Sequence, residues 1–237
     1  MKILYVTDIH GNEKAYRNLF ELGREKGAEA ILIGGDISPG FDCSGQRRFI
    51  QKFLIPRISD FTESTAKPVF IIMGNDDCKS NMELLEKADK KGMLHFVHQK
   101  AVAFRGIWFA GYSCINTTPF LMKDWEKEEK LIARDLEALS KRCDMKRSVC
   151  LFHAPPFATL LDVLYDGRHV GSLAIREFIE KKQPLLCLHG HIHESMLMTA
   201  SIADKIGKTV CINPGNRNIV EIDLRKPESM EMVIGEE

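Results

Sequence analysis

Residues 185–195 read LLCLHGHIHES, an apolar run that ends in three histidines at every second position, His189, His191 and His193. Side chains alternate between faces along an extended chain, so all three fall on one side of it. Two readings are open at this point: a strand with polar decoration, or one wall of a metal site. The choice turns on whether distant segments bring matching groups.

The 237 residues are enough for one sizeable domain, and 44% hydrophobic with 28% charged residues is the balance of a soluble globular protein. A formal net charge of +0 and no added basic domain argue against a nucleic-acid partner and against an anionic membrane surface. No run of about 18 apolar residues offers a membrane span. The start, MKILYVTDIHG, lacks the features of a secretory leader because Asp8 interrupts its apolar run. Seven cysteines are scattered without a Cys-x-x-Cys pair, which is read here as a set of reduced thiols and a cytoplasmic setting.

Apolar runs and helical stretches alternate along the chain. Strands are expected at 2–7, 30–34, 68–73, 149–152 and 185–188, with helices at 12–26, 46–59, 81–90 and 171–182. Asn12 is placed to cap the first helix and Gly27 to stop it. Residues 101–112 read as an antiparallel hairpin turning at Arg105 and Gly106. Thr118-Pro119 is expected to open a helix reaching about 142. Segments 209–215 and 219–224 are expected to add antiparallel strands, and His95 and His98 to lie on a surface strand. The pattern implies an α/β protein, a single domain over 1–237, with a second sheet packed on the first.

Five of these strands end in short polar segments: Asp8-Ile9-His10, Asp36, Asn75-Asp76, His153, and His191-Ile192-His193. In open α/β sheets ligands gather at the carboxyl ends of strands, so the five are expected to converge. Asp and His without thiolate suit Zn, Mn or Fe rather than an iron–sulfur or structural cysteine site. Seven ligand candidates are too many for one tetrahedral ion and fit two. Two divalent ions bring four positive charges and Asp8 and Asp36 return two negative ones, so the expected substrate is an anion, a small phosphate ester.

In their order, "DIHG", "GD", "GN", "FHAPP" and "GHIH" resemble the calcineurin-like metallophosphoesterase superfamily, in its small prokaryotic-type branch, over residues 8 to 193. The resemblance implies a four-layer α/β/β/α sandwich of two mixed sheets with the metal site at strand carboxyl ends. It assigns Asp8, His10 and His193 to one ion, Asp36 to both, and Asn75, His153 and His191 to the other. His189 is not a ligand in this pattern. The two ions are expected to be Mn²⁺, with Fe, Zn or Ni as alternatives. Where the family has histidine after Gly-Asn, this chain has Asp76, a weak proton donor at an ordinary carboxyl pKa of about 3.9.

The implied activity is hydrolysis of a phosphate ester, a diester favoured over a monoester, by a hydroxide bridging the ions. Asn75 and Asp76 are expected at the reacting phosphate. His169 in "DGRHVGS" is read as a replacement proton donor and Arg168 as a phosphate clamp. The alternative is a non-catalytic or weakly active interaction module on the same metal-binding fold. The stretch from Phe157 to Gly171 is the expected specificity element.

Overall fold

The computed structural model describes residues 1–120 and 123–234. The chain runs β1 (Lys2–Val6), α1 (Glu13–Glu25), β2 (Ala30–Gly34), α2 (Cys43–Phe49), α3 (Ile55–Thr65), β3 (Val69–Ile72), α4 (Met82–Lys90), β4 (His95–Phe96), β5 (Ala101–Phe104) and β6 (Ile107–Tyr112). It continues with β7 (Ile115–Asn116), β8 (Glu126–Lys127), α5 (Glu129–Ser140), β9 (Ser148–Phe152), α6 (Leu173–Lys182), β10 (Leu186–Leu188) and α7 (Ser195–Thr199). The last strands are β11 (Ala203–Ile206), β12 (Thr209–Ile212), β13 (Ile219–Asp223) and β14 (Glu231–Ile234).

Two six-stranded sheets form, in the orders β14-β13-β1-β2-β3-β4 and β11-β12-β10-β9-β6-β5. Strands β1 to β4 are mutually parallel, as are β6, β9, β10 and β12, and antiparallel strands complete each sheet. The two-residue period sorts their side chains. Ile3, Tyr5, Leu32, Phe70, Phe109, Val149 and Leu186 fill the space between the sheets. Leu4, Val6, Ile31, Ile33, Cys150, Phe152 and Cys187 face the helices. The result is the expected four-layer α/β/β/α sandwich. With parallel strands covered on both faces, near-continuous apolar runs such as AILIG are what the architecture demands.

Several local expectations change. The helical stretch expected at 46–59 runs from Cys43 to Thr65, through a π-helical turn at Ile50–Leu54. Asp42 starts it by accepting the N–H groups of Ser44 and Gly45, and the turn absorbs Pro56, which has no N–H to give. The helix expected from 118 begins only at Glu129; residues 121 and 122 lie outside the described residues. Tertiary packing overrides the Thr-Pro signal there. Trp125 is buried and donates its Nε1–H to the Asp77 carbonyl at 2.7 Å, while Glu126 accepts from Thr118 N at 3.1 Å. Segment 209–215 joins the sheet parallel to β10 as well as antiparallel to β11, because it fills the gap between them.

The cysteines are not all reduced. Cys43 and Cys78 form a disulfide, their Cα atoms 5.5 Å apart, and five thiols remain free. The pair joins the start of α2 to the segment after β3, a proximity with no spacing signature, and it withdraws the thiol argument for a cytoplasmic setting. Among the described residues no helix is long and apolar enough to cross a membrane.

His98 is no surface residue either. Val97 is fully buried, and the His98 ring packs 5.8 Å from Tyr112 and 5.1 Å from Trp125, centroid to centroid. Its Nδ1 accepts the Ser113 N–H at 3.0 Å, while Ser113 Oγ accepts the Met73 N–H at 3.1 Å, so the group ties one sheet to the other. Burial, with Lys127 and Lys79 nearby, pushes the His98 pKa down to about 4. An unfolded chain takes up the proton nearer the ordinary value of about 6.5. The stability due to the neutral ring is therefore present above about 6.5 and lost as pH falls toward 4. From pH 7 to pH 5, wild type is expected to lose about 2 kcal/mol of urea-unfolding free energy more than His98→Gln loses. Parallel losses in both proteins would contradict it.

Candidate metal centre

The two sheets deliver their carboxyl ends to one edge, and the chain turns abruptly there. Asp8, His10, Asp36 and His191 have φ values of 54°, 47°, 49° and 67°. Left-handed backbone at a residue other than glycine costs of order 1–3 kcal/mol and persists where surrounding contacts impose it. Those contacts are a backbone ladder between the loops after β1 and β2. Asp8 N donates to Gly35 O at 3.0 Å, His10 N to Asp36 O at 2.8 Å and Gly11 N to Ile37 O at 3.1 Å. The turn after β10 is held separately: buried Asn213 donates its Nδ2 to Gly190 O and Ile192 O, both at 3.1 Å.

A residue that sequence reasoning passed over fastens the loops of β2 and β3. Buried Asp77 accepts N–H bonds from Ile37 at 3.1 Å, Ser38 at 3.0 Å and Gly74 at 2.9 Å. Burial, and then the neighbouring Asp36, push its carboxyl up to about 7. Only its place after a ligand-bearing strand hinted at it. Asn213 reaches into the ligand loop from another strand, a contact that no local pattern signals.

The site's donor atoms meet closely. Ligand atoms of Asp8, His10, Asp36 and His193 lie within 4.8 Å of one another. His193 Nε2 is 2.9 Å from Asp8 Oδ1. On the other side, His153 Nε2 is 3.0 Å from Asn75 Oδ1 and 3.3 Å from Asp36 Oδ2, and the His191 ring packs 5.5 Å from that of His153. Asp36 thus stands between two groups of donors. All seven expected ligands are brought together.

The electrostatics of this array fit divalent cations. Asp8 and Asp36 are almost completely buried, 0% and 2% exposed. Burial works to raise both carboxyls. It is outweighed by His193 at Asp8 and by His153 at Asp36, so both stay below the carboxylate range and ionised. His153 Nδ1 faces the Gly34 carbonyl at 2.9 Å and donates to it, which leaves Nε2 pointing at two oxygen acceptors. Acceptors facing one another need a positive charge between them. Against burial, Asp36 raises the His153 pKa to about 10, so a proton at Nε2 meets that need. A divalent ion fits where that proton sits. Burial and then His153 push His191 down to about 4, which keeps its ring neutral and ready to ligate.

A cavity of about 610 Å³ opens over these groups, lined by Asp36, Asn75, Asp76, His191 and His193 and walled by Phe41 and Phe120. A second, of about 370 Å³, adjoins it and shares Phe120 and His191. Asp76 faces the first cavity, with its Oδ2 3.9 Å from His10 Nδ1. Burial and the charge of Asp36 raise its pKa. Arg168 and His169 line the second cavity, so the structure does not put them among the metal ligands. Arg168 is bound to Asp166, Nε to Oδ2 at 2.7 Å, and His169 Nδ1 lies 2.7 Å from buried Asp162. His189 stays outside the donor group, on the helix-facing side of its sheet.

Known proteins resemble this chain over most of its length. A sequence model of the calcineurin-like phosphoesterases matches residues 1–195. A protein of Methanocaldococcus jannaschii, the uncharacterized MJ1162, is 29% identical over 234 residues, 95% of this chain and 93% of that protein. The crystal structure of TT1561 from Thermus thermophilus superimposes with a TM-score of 0.73 at 19% identity, covering 97% of this chain and 96% of that one. A structure described as a novel archaeal phosphodiesterase has a TM-score of 0.50 at 14% identity, covering 98% and 100%. At such identities the two structures speak for the fold. Fold and donor set define a metal-binding α/β sandwich. The chain belongs to the calcineurin-like phosphoesterase family, whose members are metal-dependent phosphoric ester hydrolases.

Gly74 tests how tightly the site is packed. A Cβ there would collide with Asp36 Oδ1 and His153 Nε2. Gly74→Ala is expected to keep its circular dichroism spectrum while losing bound metal, with activity down about 10²-fold, the scale set by ångström displacements of reacting groups. Full metal content in the folded variant would show that the ligands have room to spare.

Proposed function

We propose that the protein is a dinuclear phosphodiesterase that hydrolyses a small phosphate ester. One observation carries the reading: two buried carboxylates, four imidazoles and the Asn75 amide, from five strand ends, meet beneath an open cavity. Asp8, His10 and His193 would hold one divalent ion, Asn75, His153 and His191 the other, and Asp36 both. Mn²⁺ suits this oxygen and imidazole set. Such ions, when bound, lower the pKa of water and neutralise phosphoryl oxygens.

The remaining work falls to the chain. The ladder between the first two loops keeps Asp8, His10 and Asp36 in place. A diester carries two substituents, and the two adjoining cavities offer a place for each, which favours it over a monoester. Phe41 and Phe120, 68% and 63% exposed, give the first cavity apolar walls for a carbon-rich group. Asp76, with its raised carboxyl pKa, is placed to protonate a departing alkoxide. His169, steadied by Asp162, offers a second donor to a group in the adjoining cavity.

With Mn²⁺ and an aryl phosphodiester, Asp36→Asn is expected to lower turnover by more than about 100-fold, beyond the loss typical for a partner behind a ligand. Undiminished turnover would overturn the metal assignment. Asp76→Asn is expected to slow an alkyl diester, whose leaving group needs a proton, more than an aryl diester. Equal losses on both substrates would remove Asp76 as the donor.

A further inference from the structure

A second group of metal-ligating side chains lies behind the first. Cys150, Cys187 and Cys211 stand side by side on three parallel strands, Cys150 paired with Cys187 and Cys187 with Cys211. All three are fully buried on the helix-facing side. His189, two residues after Cys187, shares that side and is likewise 0% exposed. A ring nitrogen of His189 and the Sγ atoms of Cys187 and Cys211 lie within 4.8 Å of one another.

The backbone fixes which nitrogen is available. His189 Nδ1 lies 3.0 Å from Phe152 O and 2.9 Å from Ala154 O. Carbonyl oxygens only accept, so Nδ1 carries the proton and Nε2 carries the lone pair. Nε2 is buried and meets no hydrogen-bond partner. A buried acceptor left unpaired costs about 1–3 kcal/mol. An imidazole that donates Nδ1–H to backbone carbonyls while aiming a bare Nε2 at its surroundings is the arrangement metal-binding histidines adopt.

We propose that Cys187, His189 and Cys211 hold a third divalent ion of the Zn²⁺ type, structural and separate from the pair at the strand ends. Thiolate and imidazole are the donors of structural zinc rather than of Mg²⁺ or Ca²⁺. Binding releases the two thiol protons of Cys187 and Cys211, and the resulting pair of thiolates cancels the ion's charge. A neutral complex avoids the cost of an uncompensated charge in a dry interior. With no solvent-exposed donor, the ion enters while the chain folds. It would then staple β10 to β12, and β10 leads directly into His191.

Cobalt gives a readout independent of activity. The double variant Asp8→Asn, Asp36→Asn disables the strand-end site and leaves the sulfur group intact. Produced with Co²⁺ and dialysed against chelator, this variant and wild type are both expected to keep a cobalt ion with a thiolate-to-cobalt charge-transfer band. Cys187→Ser and Cys211→Ser are expected to abolish the band, and Cys114→Ser, a buried thiol elsewhere, to leave it. Wild type gives the signal by itself, so the test does not depend on the variants folding. If folded wild type made with Co²⁺ shows no thiolate band, or if the band survives Cys187→Ser, the proposal is overturned.

Discussion

Asp8 and Asp36 are carboxylates withdrawn from water at the edge where two sheets meet, and each stays ionised because an imidazole stands against it. An isolated buried carboxylate would take up a proton instead. The strand ends must therefore arrive together, and the backbone around them must hold conformations it would otherwise avoid. The left-handed φ values of Asp8, His10, Asp36 and His191 turn the side chains of consecutive loops toward a single point. The ladder from the first loop to the second, and the carboxyl of Asp77 beneath it, keep that arrangement closed.

The sandwich supplies the rigidity this needs. Phe70 and Phe109 stack between the sheets at 4.1 Å, centroid to centroid, and neighbouring apolar side chains close around them. The helices cover the outer faces. Loops carry the chemistry and strands carry the loops, a division common to proteins whose sites sit on a packed scaffold. Trp125 shows how far the coupling extends. It comes from a segment with little regular structure, and its indole N–H ends on the carbonyl of Asp77.

Much of this was legible in the sequence, because it rests on local signals. Apolar runs marked the strands, and the polar residues that follow them marked the ligands. What was not legible depends on contacts between distant residues. The Thr118-Pro119 pair carries a helix-start signal, yet Trp125 is buried and Glu126 holds Thr118, and no helix begins before Glu129 among the described residues. Nothing in the spacing of Cys43 and Cys78 foretells their bond, since the turn that brings them together is made by Asp42 and Gln46. Asp77 has no local pattern that marks it. Its role exists only once the backbone of Ile37 and Ser38 is folded against it.

The ladder between the first two loops is made wholly of protein groups, so the socket has its shape before any ion enters. Little chain entropy is then left to lose on loading, and little adjustment is available to an ion of the wrong radius. A socket formed in this way sorts metals by size and preferred geometry, whereas a yielding one would follow the general affinity order of the divalent series.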